Sequence, residues 1–362
     1  MIRADAFLDP AVEAGFDFYS GVPCSFLTPL INRVIARDDI RYVPAASEGE
    51  AVAIAAGAWL AGRKAVVMCQ NSGLGNAINP LTSLNHPFRI PVLLIVTWRG
   101  EPGLKDEPQH ALMGRITGAL LDDIGVPSEP FPNWPEDIAP ALERARHAMA
   151  RNDLPFAFIM AKGAVAAETL EEPPAVVRTA GALRDFATGG ARPSRDAVLT
   201  RVLAIVPEAA AIVVTTGKSG RELFTITDRE QHLYQVGSMG GASAMGLGVA
   251  LNVPRPVIVL DGDGAALMKL ENFATIGARA PQNLLHIVID NGVHDSTGGQ
   301  ATVSAGVDFA RIALACGYAG AAMADDLDGF EGALSAALDA KGPILIHIRI
   351  QPGSMAPLGR PT

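Results

Sequence analysis

Only three cysteines, Cys24, Cys69 and Cys316, occur in the 362 residues, and they stand at no metal-ligand spacing. Neither a disulfide framework nor a cysteine zinc site is suggested. Positive charge is also scarce: 29 Lys and Arg against 38 Asp and Glu leave a net charge of −9, which argues against nucleic acid or an anionic membrane as a partner. No apolar run is long enough to span a bilayer, and the opening MIRADAFLDP lacks the apolar core of a signal peptide. A soluble, cytoplasmic protein is the expectation. Charged residues make up 19% of the chain and hydrophobic ones 49%, with mean hydropathy +0.24, so large buried cores or a substantial subunit interface should form. An anionic ligand must then be held by local cations.

What the chain does have is a regular alternation. Strand-like segments at 17–19, 42–43, 65–68 and 91–97 are separated by helical ones near 26–36, at 48–60 and near 76–84. That is the βαβ rhythm of a parallel sheet covered on both faces. Between Glu171 and Ser194 the texture changes to EEPPAVVRTAGALRDFATGGARPS, with paired prolines and glycines and little periodicity, which predicts a linker. The rhythm then restarts with a helix at 195–206, a strand at 211–214, a glycine-rich segment from Gly237 to Gly248 and a last strand at 344–348. The predicted fold class is α/β, with two domains at 1–178 and 195–362, a linker at 179–194 and no internal sequence repeat.

The second domain is organised around DGDGAALMKLENFATIGARAPQNLLHIVIDNGVHDSTGGQ, Asp261 to Gln300. A short apolar run, 257–260, ends in Gly262-Asp263-Gly264; a helical pattern follows at 266–280 and a second strand at 284–289. In such a strand-helix-strand unit the turns at Asp263 and Asn291 fall at the same edge of the sheet, where open α/β sheets bind ligands. Glycines beside Asp263 let backbone approach a diphosphate, and the helix start behind it offers unpaired N–H groups. One carboxylate and one amide oxygen are ligands that Mg²⁺ accepts together with phosphates, and the turn reaching Val293 can add a carbonyl. In the first domain, SEGEAVAIAAGAWLAG places Ser47 as an N-cap and Glu48 in the first turn of an alanine-rich helix. By itself that glutamate suits a helix start as well as a function.

These stretches closely resemble the thiamin-diphosphate (ThDP) enzymes, whose GDG is followed after a helix and a strand by an Asn pair; Asp290 stands at the first Asn of that pair. The resemblance implies two ThDP-fold domains, pyrimidine-binding then diphosphate-binding, with ThDP and Mg²⁺ as cofactors. It implies that Glu48, followed nine residues later by Gly57, hydrogen-bonds N1′ of the aminopyrimidine and drives the imino tautomer that takes the C2 proton. Glu50 falls outside that pattern. Asn71 and Ser72 match the loop that passes the thiazolium, Gly237 the carbonyl that accepts from the 4′-amino group, and Met239 the apolar buttress beneath the bent cofactor. Thr216, Gly217 and Lys218 resemble a second diphosphate contact, beside Gly262, Asp263, Gly264 and Ala265; Asp263, Asn291 and Val293 are the implied metal ligands.

Four further segments, SGVPCSFL, WRGEPGLKDEPQHALMGRIT, TTGKSGRELF and DNGVHDSTGGQ, narrow the likeness to the phosphonopyruvate decarboxylase family. The implied reaction is non-oxidative loss of carbon dioxide from 3-phosphonopyruvate, a 2-oxo acid bearing a phosphonate, to give phosphonoacetaldehyde for phosphonate biosynthesis. Ser25, Arg99, Lys105, Asp295 and Ser296 are candidate substrate contacts, and Glu48, His110 and His294 candidate catalytic groups. Arg99, Lys105, His110 and Arg115 form a cation-rich loop suited to two oxyanions, or else a solvated loop in which Glu101, Asp106 and Glu107 pair those cations. At least a homodimer is implied, since relatives combine the pyrimidine domain of one subunit with the diphosphate domain of another. A sulfopyruvate decarboxylase, a ThDP-dependent carboligase and a non-catalytic ThDP-binding partner are the competing readings. Having both domains in one chain and the run Lys105 to His110 is taken to favour the phosphonate.

Overall fold

Apolar runs bounded by turn residues become the strands of two parallel sheets in the computed structural model, which describes residues 1–174, 176, 178–179 and 181–361. The chain divides into two compact units, Met1–Val176 and Val177–Thr362. In the first, β1 (Phe16–Gly21), β2 (Arg41–Pro44), β3 (Lys64–Gln70), β4 (Leu93–Thr97), β5 (Ser128–Pro130) and β6 (Phe156–Met160) pair in the order β2-β1-β3-β4-β6-β5, all parallel. Every residue of β4, LLIVT, is buried, which is why it carries no polar alternation: helices cover both faces of the sheet. One face is closed by Ala4–Glu13, Thr28–Ile35 and Pro135–Asn152, around Phe7, Phe131 and Phe158. The alanine-rich helix Glu48–Leu60 packs on β1 and β3 and is buried from Glu48 to Ala58.

The second unit contains β7 (Ala182–Asp185), β8 (Ala211–Val214), β9 (His232–Tyr234), β10 (Val257–Gly262) and β11 (Leu284–Asp290), then a small antiparallel pair, β12 (Val293–His294) and β13 (Gln300–Ala301), and finally β14 (Gly320–Ala324) and β15 (Ile344–Arg349). Its main sheet runs β7-β14-β15-β11-β10-β8-β9. Without β7, the order read in sequence is the same winding as in the first unit. The two halves therefore share a topology that no sequence repeat discloses. In each sheet the winding reverses beside the first strand, between β1 and β3 and between β8 and β10, and ligands of open α/β sheets bind in the crevice outside the carboxyl ends at such a point.

Two expectations are corrected. The segment 179–194, read as a linker, contributes β7, which pairs in parallel with β14 from Gly320↔Ala182 to Met323↔Asp185; residue 180 within it lies outside the described residues. Only one residue of β7 is even half-buried, so its sequence had no apolar alternation to reveal it. The helix expected at 266–280 is two helices, Asp263–Met268 and Glu271–Arg279. Between them Lys269 leaves helical geometry, at φ −137°, ψ 49°. There the backbone of Gly240 comes up against Lys269 and Ala265, and the Asn272 amide donates to the Gly240 carbonyl at 3.0 Å. The break seats the loop from Gly237 to Gly240 beside the start of the first helix.

Candidate active site

In the first unit the crevice is built from the ends of β1, β3 and β4. Ser47 caps the buried helix, its Oγ accepting from Glu50 N at 3.3 Å, while Glu50 reaches back to accept from Ala46 N at 2.6 Å. This is capping-box logic, and it assigns Glu50 to holding the helix start. Glu48, 9% exposed, is left to project toward the residues after β3. Its Oε2 accepts from Asn76 Nδ2 at 2.8 Å, and its Oε1 lies where Gly73 would carry a Cβ, 2.2 Å from that position. A side chain at position 73 would displace this carboxylate from its place. Cys69 lies behind it, its thiol pushed up by burial and then by the charges of Glu48 and Cys24.

The cation-rich loop closes the other side of the crevice through one carboxylate. Asp106 accepts from Arg99 Nε at 2.8 Å, Arg99 Nη2 at 2.5 Å, Gly100 N at 2.7 Å and Glu107 N at 2.8 Å, and lies 3.1 Å from His110 Nδ1. The bidentate guanidinium, joined by those amides and the imidazole, holds the Asp106 carboxyl well below the usual carboxylate range. Arg99 then donates through Nη1 to Ser25 Oγ at 3.2 Å and sits 4.8 Å over the Phe26 ring. His110 is buried, with Nε2 3.4 Å from Gln70 Nε2, and Gln70 donates to Ser72 Oγ at 2.6 Å and accepts from Cys24 Sγ at 3.3 Å. Ser25, Ser72, Arg99 and His110 are thus gathered beside Gln70 and Asp106. Of the two readings of this loop, each holds in part: Asp106 pairs Arg99, whereas Lys105 and Arg115 are exposed and make no ion pair among the described residues.

Asn71 is placed differently from the other loop candidates. It is fully buried, and its Nδ2 donates to Arg99 O at 2.8 Å and Thr117 Oγ1 at 2.9 Å, so it fastens the cation loop to the end of β3. Its Oδ1 is buried with no partner among the described residues.

In the second unit a cleft at the β8/β10 switch point gathers Thr216, Gly217, Lys218, Met239, Gly262, Asp263, Gly264, Ala265, Asn291, Val293, His294, Asp295 and Ser296. Gly217 has φ +96° and ψ −143°, which glycine alone adopts without strain, and it turns the chain from β8 into the helix Lys218–Ile226. Thr216 Oγ1 donates to Val236 O at 2.9 Å, and Gln235 Nε2 donates to Gly237 O at 3.1 Å, one of the two lone pairs of the expected 4′-amino acceptor. His294 packs over Gly264, and Ser296 is exposed at the rim.

Asp263 is 3% exposed and has no salt-bridge partner among the described residues; the Thr302 hydroxyl donates to it. Burial raises its carboxyl above the usual range against the pull of Thr302. Such an uncompensated carboxylate suits a bound cation. Asn291 Nδ2 donates to Asp295 Oδ2 at 2.7 Å, and its Oδ1 accepts from Val293 N at 3.3 Å. Among the described residues no cluster of three His, Cys, Asp or Glu could hold a metal. A hard cation here would take the Asp263 carboxylate, the Asn291 amide oxygen, a backbone carbonyl and ligand phosphates, so the donor chemistry fits Mg²⁺.

Several partners of the acidic residues here escaped sequence reasoning. Asp290, at the position of the family's first Asn, meets a buried histidine: His347 Nε2 is 3.0 Å from Oδ2, while Ser304 Oγ and Gly292 N donate to Oδ1, each at 3.0 Å. Burial works against this charge, but His347 and Ser304 hold the carboxyl below its usual range. Asp295, expected at the substrate, is tied to Arg195 Nη2 at 2.7 Å, and Arg195 in turn to the buried Glu222 at 3.0 Å. Burial lifts the Glu222 carboxyl although Arg195 pulls the other way. These partners come from segments far apart in the chain, so no local pattern announced them.

Known proteins resemble the chain in both units. Residues 1–121 match the thiamine pyrophosphate enzyme N-terminal TPP binding domain and residues 216–348 its C-terminal TPP binding domain. Phosphonopyruvate decarboxylases from Streptomyces hygroscopicus and Streptomyces viridochromogenes are 51% and 53% identical over all of this chain and 90% and 91% of theirs. A sulfopyruvate decarboxylase from Methanosarcina acetivorans is 31% identical over 94% of this chain and 89% of its own. That single-chain relative overturns one expectation: carrying both domains in one chain does not separate phosphonate from sulfonate. In fold, the chain is similar to benzoylformate decarboxylase from Polynucleobacter necessarius, at TM-score 0.78 and 14% identity, with 98% of this chain and 100% of that one covered.

Proposed function

The chain belongs to the phosphonopyruvate decarboxylase family of thiamine pyrophosphate enzymes, and from that membership we propose that its substrate is 3-phosphonopyruvate, decarboxylated without oxidation to phosphonoacetaldehyde. The observation that carries the reading is the gathering of the buried Glu48 and the Ser25, Arg99, Asp106 and His110 cluster around one strand-end crevice. Full-length identity to two decarboxylases of that name supports the choice of substrate.

When bound, ThDP supplies the electron sink for the pair left by departing carbon dioxide. The chain supplies orientation and charge. Glu48 Oε2 is occupied by Asn76, which would leave Oε1, over Gly73, to share a proton with a bound aminopyrimidine. The Arg99 guanidinium, fixed in plane by Asp106, presents Nη1 beside the Ser25 hydroxyl to an oxyanion of the substrate. His110 is the buried group from which a proton can be delivered, and Lys105 is an exposed cation on the same loop. His294 and Ser296 stand at the rim of the other half-site. In the second unit, Thr216, Gly217, Lys218, Gly262, Gly264 and Ala265 would cradle the diphosphate and Asp263, Asn291 and the Val293 carbonyl would hold Mg²⁺. Gly237 and Met239 would seat the pyrimidine.

From the resemblance to ThDP enzymes, which combine the pyrimidine domain of one subunit with the diphosphate domain of another, we infer at least a homodimer; a catalytically active monomer in sedimentation would refute it. Sulfopyruvate decarboxylation is the second reading, favoured by the Methanosarcina relative. Comparing kcat/KM for the two substrates decides between them: a preference for phosphonopyruvate supports the proposal, and a preference for sulfopyruvate reverses it.

A further inference from the structure

We propose that Asp295 is a positioning residue that fixes which face of the Asn291 amide meets the metal. The inference rests on the proposed role of Asn291 as a metal ligand. An asparagine side chain presents an oxygen on one side and an NH₂ on the other, and only the oxygen can bind a cation. At Asn291 the choice is forced. A carboxylate accepts hydrogen bonds and donates none, so Asp295 Oδ2, 2.7 Å away, takes the Nδ2 side and turns Oδ1 away from itself. Val293 N, donating to Oδ1 at 3.3 Å, agrees with the same orientation.

Asp295 cannot swing aside, because it is clamped from behind. Arg195, 6% exposed, donates Nη2 to Asp295 Oδ2 at 2.7 Å while its Nη1 is held by Glu222 Oε1 and Gly353 O, each at 3.0 Å. Gly353 N closes the ring by donating to both Asp295 oxygens, at 3.1 and 3.2 Å. The clamp therefore draws together the helix Arg195–Ile205, the helix Lys218–Ile226, the loop between β12 and β13 and the segment following β15. Asp295 Oδ2 takes Asn291, Arg195 and Gly353 N together, so the geometry assigns this oxygen to orienting Asn291. Groups that orient a ligand in this way commonly govern metal affinity by 10- to 100-fold when removed.

The test is Mn²⁺ binding to the full chain at saturating ThDP, read from the electron paramagnetic resonance of free Mn²⁺, for wild type, Asp295→Asn, Asp295→Ala and Asn291→Ala. Asp295→Ala is expected to weaken Mn²⁺ by about 10- to 100-fold. Asp295→Asn, which can offer either an oxygen or an NH₂ to Asn291, should fall between it and wild type. Asp295→Ala also lowers the melting temperature of the metal-free protein, because the buried Arg195 and Gly353 N lose an acceptor, so affinity is compared well below the melt; a merely structural Asp295 would lower the melt and leave metal affinity alone. Wild-type Mn²⁺ affinity in Asp295→Ala, with loss in Asn291→Ala, overturns the proposal alone. Wild-type affinity in Asn291→Ala removes that residue from the metal and overturns both the reading and the proposal. If Asp295→Ala does not fold, the isosteric Asp295→Asn decides by the same criterion.

Discussion

Gly73→Ala isolates the placement of one carboxylate from its chemistry. The backbone at Gly73, φ −70° and ψ −14°, is ordinary right-handed helical geometry, so alanine costs nothing there and reduces the freedom of the unfolded chain. What the added methyl meets is Glu48: Oε1 at 2.2 Å, Cδ at 2.3 Å and Cγ at 2.5 Å. These separations are about 1 Å or more short of ordinary van der Waals contact. The Glu48 side chain must move by that amount, out of its place between Asn76 and the crevice. A misplacement of about 1 Å in a reacting group can cost about 10²-fold, or about 2.7 kcal/mol of transition-state stabilisation. The expected result is a kcat/KM lowered about a hundredfold, with ThDP affinity and melting temperature close to wild type. Steady-state decarboxylation and thermal unfolding measure both. Activity within about threefold of wild type, in a folded protein, would show that the position of Glu48 Oε1 is not critical and refute the reasoning.

Three other outcomes follow from the same geometry. Glu48→Gln keeps the size of the side chain and the hydrogen bond from Asn76 but loses the proton acceptor; ThDP binding should persist while most turnover disappears, and near-wild-type turnover would sink the assignment. Asp106→Asn removes the charge that fixes Arg99 and His110, so kcat/KM for phosphonopyruvate should fall by about 10-fold or more, and further than that for pyruvate, which has no phosphonate; equal losses on both substrates would contradict a role in phosphonate recognition. The folded-state pKa of Asp106 is depressed, so its contribution to stability is present above the unfolded carboxylate value of about 3.9 and is lost as pH falls through the lower folded value. Wild type and Asp106→Asn should therefore differ in denaturant midpoint at neutral pH and converge well below pH 4; a difference independent of pH would point to packing instead.

The parts of the site legible in the sequence are those written within a few residues of a strand end. Asp263 and Asn291 close β10 and follow β11, and Glu48 opens a helix after a capping serine, so the βαβ pattern placed them before any coordinates did. Asp106 was visible only as one of three acids in a charged loop, and nothing local says that it, not Glu101 or Glu107, collects the guanidinium. His347, Thr302 and Ser304 reach the Asp263–Asp290 cluster from β15 and the turn after β13, a convergence set by strand order alone. The helix Pro135–Asn152 was readable in principle: Pro135 stands in its first turn with Glu136 and Asp137, and its buried Ile138, Ala141, Leu142, Ala145 and Met149 keep helical spacing. Its many charges disguised that stripe. The common winding of the two sheets, by contrast, leaves no mark in side-chain pattern, because it is a property of how strands pair.

The most direct test of the central claim is to incubate the purified full chain with 3-phosphonopyruvate and to measure carbon dioxide and aldehyde together, with and without ThDP and Mg²⁺. The account predicts equimolar carbon dioxide and phosphonoacetaldehyde, formed only when both cofactors are present and lost in Glu48→Gln. Absence of both products in a protein that binds ThDP, or their formation at equal rates without the cofactors, would contradict it.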